Sequence, residues 1–318
     1  MQPAISRRDV LTAAGAAAVG LAGKTVVADR VPKTTDGVAA KTRFRFCLNT
    51  STIRGQKKPL EQEVDIAAKA GYSGIEPWIR EIRDYVRRGG KLKDLKKRIA
   101  DAGLTVESAI GFARWIIDDD RQRTKSLEDA RRDMDLLQQI GGRRIAAPPT
   151  GATRQSNLDL LKAAERYGEL LKIGSKIGVT PQLEVWGFSR SISRLGEAMH
   201  VAVESGRPEA CLLPDVYHLY KGGSHFAGLE LIHGNAIHVF HVNDYPADPP
   251  RAKINDADRV YPGDGVAPLA QVVRTLVRTG FQGALSLELF NRDYWKQDAT
   301  AVAKTGLAKM KAVVEKYA

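Results

Sequence analysis

A chain of 318 residues with 43% hydrophobic and 27% charged side chains carries enough apolar surface for a packed core, which excludes an intrinsically disordered protein. The length allows two ordinary domains or one large α/β barrel. The formal net charge of +12 does not mark a nucleic-acid surface, because basic residues in stretches such as KLKDLKKRIADAG and DARRDMDLL are interleaved with acids along helical segments.

The N-terminus reads as an address. SRRDVLTAAGAAAVGLAG pairs Arg7 with Arg8 ahead of an Ala- and Gly-rich stretch of mild hydrophobicity, with the length and flanks of a signal and not of a transmembrane helix. The pattern resembles a twin-arginine export signal, with Val26-Val27-Ala28 as the expected cleavage region. Residues 1–28 are therefore expected as a signal peptide, 29–42 as a polar linker and 43–318 as the folded unit. The expected destination is the periplasm or the extracellular space, with no stable membrane span in the mature chain.

From residue 43 onward, short β-rich runs alternate with longer amphipathic segments. The strand runs are RFRFCLN (43–49), GIEPW (74–78), LTVESAI (104–110), RRIAAP (143–148), TPQLEVW (180–186), ACLLPDV (210–216), AIHVFHV (236–242) and ALSLELF (284–290). Helical spacing recurs between them, as in LEQEVDIAAKAG and LEDARRDMDLLQQIGG. Gly71, Gly103, Gly141, Gly178, Gly206 and Gly280 stand where helix C-caps are expected. Eight such units imply a parallel sheet closed into a (β/α)₈ TIM barrel. An open doubly wound sheet would normally carry a glycine-rich phosphate turn after its first strand, and CLNTSTIRGQ has none. Cys47 and Cys211 lie inside apolar runs without metal-type spacing and read as buried free thiols.

In a barrel of this kind, active sites gather where the strands end. The last four strands end in ionisable residues: Glu184, Asp215, His241 and Glu288. Each alone has a plainer reading, as an acid paired within a loop or a satisfied core histidine. Together they would place three buried carboxylates against one another, a repulsion that a divalent cation relieves. Three oxygen donors and one imidazole favour Mn²⁺ or Mg²⁺, with Co²⁺ or Zn²⁺ next.

These residues, with the motifs GYSGIEPW, LEVWG, PDVYH, HVND, DRVYPGDG and GFQGALSLELF, resemble the xylose isomerase-like TIM barrel superfamily. Within it the chain is most similar to the sugar epimerase branch: tagatose 3-epimerase, hydroxypyruvate isomerase and inosose dehydratase. The resemblance implies a sugar isomerase or epimerase in which Glu184 and Glu288 face a ketose from opposite sides and move a proton through an enediolate. It implies metal ligation by Glu184, Asp215, His241 and Glu288, and a place for His218 over the substrate oxygens. Trp186 and Trp115, with Phe112, are candidate walls of a sugar pocket; Arg259 is a candidate for a substrate oxygen or for pairing with Asp258. Glu76 and Glu107 read as buried structural pairs. Two positions depart from the epimerases: Arg190 stands where they place a second acid, and Ala247 where they place an arginine.

The same site could end in elimination, as a lyase or dehydratase on a keto-sugar or 3-keto-glycoside. An apurinic endonuclease is disfavoured by Val260 in the Asp-Arg-His position and by only six histidines. A non-catalytic sugar-binding barrel would not need both Glu184 and Glu288. The expected partner is a small carbohydrate, with no nucleic acid and with homo-oligomerisation left open.

Overall fold

The computed structural model describes residues 44–318; the expected signal peptide and linker lie outside the described residues. Eight strands follow in chain order: β1 (Arg45–Asn49), β2 (Gly74–Glu76), β3 (Thr105–Val106), β4 (Arg144–Ala147), β5 (Thr180–Glu184), β6 (Leu212–Leu213), β7 (Val239–Val242) and β8 (Ala284–Leu287). They pair in parallel in the orders β3-β2-β1-β8-β7 and β4-β5-β6. Backbone bonds close both seams. At one, the Ala109 N–H donates to the Arg144 carbonyl at 3.1 Å and the Ala146 N–H to the Ala109 carbonyl at 2.8 Å. At the other, Leu212 bridges Ile237 and the His241 N–H donates to the Pro214 carbonyl at 2.9 Å. The ring is the expected TIM barrel.

The apolar runs outlast the ladders. The run 104–110 forms a continuous ladder only over Thr105–Val106, with Ala109 and an isolated bridge at Ile110 meeting its neighbours beyond, and the run 284–290 leaves the sheet at Leu287. At the mouth, polar side chains and loops take over the backbone groups. Asp215 turns out of β6 and accepts the His218 N–H at 2.8 Å, capping the helix Val216–Gly222; the Leu289 N–H donates to Thr52 Oγ1 at 3.1 Å. The strand ends are thus where the chain trades ladder bonds for side-chain bonds, and this is what frees carboxylates to face the barrel axis.

All six glycines expected at helix ends adopt a left-handed φ, between 62° and 95°. Alternation along β1 sends Phe46 and Leu48 to the layer between strands and helices, while Cys47 joins Ala146, Leu213, Val239 and Ala284 in a separate cluster of mostly small side chains. Both cysteines are buried and free, and burial pushes the Cys211 thiol up to about 12. Among the described residues, no helix is long and apolar enough to cross a membrane.

One buried acid makes stability depend on pH. Glu63, in the helix Leu60–Ala70, is 2% exposed and its Oε2 has no partner among the described residues. Burial first, and the neighbouring Glu81 second, push its carboxyl up to about 9. The folded chain therefore keeps a proton that the unfolded chain releases near 4.5. Its contribution is present at low pH and is lost as pH rises through that window. Glu63→Gln is expected to raise the melting temperature at pH 8 by about 2 °C or more, each ~1 kcal/mol counting for a few degrees in a domain of this size. In thermal melts the gain should shrink toward zero as the pH approaches 4.5; a gain independent of pH would show that Glu63 is ionised in the fold.

Candidate active site

Glu184 ends β5, Asp215 follows β6, His241 lies within β7 and Glu288 follows β8, so four neighbouring strands deliver them to one end of the barrel. His241 Nδ1 lies 3.4 Å from Glu288 Oε2 and 3.8 Å from Asp215 Oδ2, and one donor atom of each of these three residues falls within 4.8 Å of the others. Nδ1 has no hydrogen-bond partner among the described residues. The opposite ring nitrogen, Nε2, sits 3.0 Å from Glu76 Oε2. That oxygen also accepts from Ser286 Oγ at 2.7 Å and Asn49 Nδ2 at 3.0 Å. Burial lowers the His241 pKa, but Glu288 and Glu76 outweigh it and raise it well above the ordinary value, so without an ion the ring is a cation. The carboxylate beside Nε2 keeps a proton there, and the Nδ1 proton, facing Asp215 and Glu288, is the one a metal would displace. Glu184 stands outside this tight triple but opens onto the same cavity, and its buried Oε2 is likewise unpartnered among the described residues.

A guanidinium crosses the same space. Arg259 is fully buried and donates from Nη1 to Asp215 Oδ2 at 3.1 Å and to Glu288 Oε2 at 2.8 Å. Its Nη2 donates to Asp256 and lies 3.1 Å from His218 Nε2. The Tyr217 ring lies 4.4 Å away. Asp258, weighed above as its partner, is bonded to Asn255 instead. His218 meets a second donor on its other side, the Gly187 N–H at 3.3 Å from Nδ1. Burial and then Arg259 lower its pKa, so the ring is neutral at pH 7. Arg190 is exposed, and its backbone N–H donates to the Thr153 carbonyl.

The two glutamates are driven apart electrostatically. Burial, then the charge of Glu288, pushes Glu184 up to about 8. Burial would raise Glu288 as well, but His241 and Arg259 outweigh it and hold that carboxyl well below the usual range. The side chains by themselves therefore keep one carboxyl protonated and the other ionised near neutral pH.

The cavity over these groups measures about 430 Å³ and is lined by Glu184, Trp186, His218, Arg259 and Glu288 among others. Trp115 does not reach it. Its indole N–H donates to the Pro148 carbonyl at 2.9 Å and its ring packs 5.7 Å from Tyr167, fully buried in the core. Phe112 stands at the cavity instead. Glu107 is a structural pair, held by Arg45 at 2.7 Å. Glu76 is more than that, since it orients His241. Asn243, which donates to Asp215 Oδ2 at 2.8 Å, and the cavity residues Arg54, Trp78, Phe290 and Trp295 were not foreseen. A signal for two of these does exist: Glu76-Pro77-Trp78, Glu184-Val185-Trp186 and Glu288-Leu289-Phe290 repeat one pattern. Residues i and i+2 of a strand share a face, so an inward carboxylate sets an aromatic ring one step nearer the mouth.

The profile of the xylose isomerase-like TIM barrel family matches residues 64–313. The chain belongs to this family. Inosose isomerase of Bacillus velezensis is 25% identical over 277 residues, which cover 86% of this chain and 98% of that enzyme. The 3-dehydroshikimate dehydratase of Pseudomonas aeruginosa is 25% identical over 268 residues, covering 81% of this chain and 40% of that enzyme. Fructoselysine 3-epimerase of Escherichia coli O157:H7 is 22% identical over 278 residues, covering 83% of this chain and 96% of the epimerase. Among solved structures, the IOLI protein with a bound zinc atom matches with a TM-score of 0.80 at 22% identity, over 86% of this chain and 99% of that one. In this xylose isomerase-like barrel, the converging oxygens of Asp215 and Glu288, the free Nδ1 of His241 and the unpartnered Oε2 of Glu184 suit a divalent cation.

Proposed function

We propose that the chain is a divalent-metal-dependent enzyme that moves a proton on the carbon next to a carbonyl of a sugar or related polyol, as an isomerase or epimerase. The observation that carries this reading is the convergence of Asp215, Glu288 and the unpartnered His241 Nδ1 beneath a cavity that Glu184 also enters. Asp215, His241, Glu288 and Glu184 would hold the ion. Bound there, a divalent cation supplies Lewis-acid polarisation of a carbonyl. Mn²⁺, Mg²⁺, Co²⁺ and Zn²⁺ all accept this mixed donor set.

The remaining work falls to side chains. Glu184 and Glu288 reach the cavity from different strands, and this suits them to give and take the proton. Arg259, with Nη2 beside His218, places positive charge where a carbonyl oxygen would gain negative charge. The epimerase and isomerase relatives support return of the proton to carbon. The dehydratase relative supports a second ending from the same abstraction, in which the electron pair expels a β-hydroxyl as water.

Hydrogen exchange in D₂O tests the reading. The protein, loaded in turn with each of the four cations, is incubated with a panel of ketoses and inososes and followed by NMR. Deuterium entering a carbon next to the carbonyl is the expected result; no exchange with any substrate and any of these ions would overturn it. Glu76→Gln is expected to weaken metal binding about 10- to 100-fold by titration calorimetry, because a neutral amide holds His241 in its tautomer less firmly. Unchanged affinity would reduce Glu76 to a packing role.

A further inference from the structure

Proton transfer accounts for the inner end of the cavity but not for its rim. An arc of rings surrounds the mouth: Phe290 to Trp78 at 6.2 Å, Trp78 to Phe112 at 5.1 Å, Phe112 to Trp186 at 6.1 Å and Trp186 to Phe188 at 5.1 Å between centroids. The arc ends 5.8 Å from the His218 ring. Phe112 and Phe188 are 42% and 46% exposed. One exposed phenylalanine is ordinary; a contiguous arc lining a cavity is the mark of a binding surface.

Polar groups accompany the rings. The Arg54 guanidinium lies 4.9 Å from the Trp78 ring, 5.2 Å from Phe290 and 5.1 Å from Trp295, held by cation–π contacts. Among the described residues neither Arg54 nor Arg292, both at the cavity, donates a side-chain hydrogen bond, so their donors are free for a ligand.

We propose that the aromatic rim is an outer subsite for a second ring covalently joined to the reacting sugar, so that the substrate is a glycoside or similar ring conjugate and not a free monosaccharide. This rests on the reading that the carboxylate end receives the ketone. The Glu-x-aromatic repeat explains the arrangement: Glu184 and Glu288 serve the reacting ring, Glu76 orients His241 beneath it, and the aromatic two residues on from each, one ~6–7 Å step along an extended strand, meets the next ring. The apolar faces of a ring stack on the aromatic arc while its edge oxygens accept from Arg54 and Arg292.

Calorimetric binding of phenyl and methyl 3-keto-β-glucosides to the metal-loaded protein tests this, with deuterium exchange followed on the same samples. The phenyl compound is expected to bind at least about tenfold more tightly, and the preference is expected to collapse in the Phe112→Ala/Phe188→Ala double variant. Phe112→Leu/Phe188→Leu, which keeps apolar bulk and loses the rings, guards against misfolding and should also narrow the preference. Equal binding of the two glycosides, or a preference that survives both variants, overturns the outer subsite. Exchange into the methyl compound in that case leaves the proton-transfer reading intact. Ring-dependent preference without exchange in either compound supports the subsite and shows that these 3-keto-glucosides are not what the proton transfer acts on.

Discussion

Glu184→Gln and Glu288→Gln are each expected to abolish hydrogen exchange next to the carbonyl, with kcat lowered about 10²- to 10⁴-fold, the range for loss of a positioned acid or base. The two should differ in how much metal affinity they lose and in metal-free stability. Glu288 belongs to the tight triple, lies 3.4 Å from His241 Nδ1 and accepts from Arg259, so its amide variant should lose more metal affinity than Glu184→Gln and melt lower. Glu184 stands outside that triple, and in metal-free protein its carboxyl keeps a proton up to about 8. Glutamine imitates that neutral form. Glu184→Gln should therefore melt close to the parent at pH 6. It should melt above it at pH 9, because a raised folded pKa means stability lost as pH climbs toward that value. Exchange kinetics give the first comparison and chelator-treated melts the second. Exchange that survives Glu184→Gln at near-parent rate would assign the proton to another group.

Much of this architecture was open to reading residue by residue. Short β-rich runs alternating with helical spacing, and the glycines that close the helices, disclosed all eight strands, because these are local consequences of backbone geometry. The four strand-end residues were legible because charged groups inside apolar runs are costly and call for an explanation. What escaped was set by distant partners. Glu76 reads as an ordinary buried acid until β2 and β7 face one another across the barrel and bring it 3.0 Å from a histidine 165 positions away. Trp115 and Phe112 lie three residues apart beyond the same strand, and nothing in their spacing tells which turns into the core. Arg259 is the clearest case. It sits in an irregular loop after β7, and its place is fixed by Asp215 and Glu288, 44 and 29 positions away.

That placement makes Arg259 the most consequential side chain outside the strands. Arg259→Ala removes the guanidinium from two buried carboxylates and leaves them only the His241 ring as a cationic neighbour, a loss of about 3–5 kcal/mol when one partner of a buried ion pair is deleted. In metal-free protein the melting temperature should fall on the order of 10 °C. Saturation with Mn²⁺ or Zn²⁺ should close most of that gap, since a divalent cation answers the same carboxylate charge. The variant should also bind the ion more tightly than the parent, because a like charge beside the ligands opposes a second cation. Arg259→Lys keeps the charge but not the fork that reaches Asp215, Glu288 and Asp256 together, so it should fall between the two in melting and affinity. It also carries the comparison if the alanine variant does not fold. Melting scans with and without metal, paired with calorimetry, decide the matter. If metal fails to narrow the gap and affinity does not change in either variant, Arg259 and the ion do not draw on the same carboxylates, and the guanidinium belongs to the fold alone.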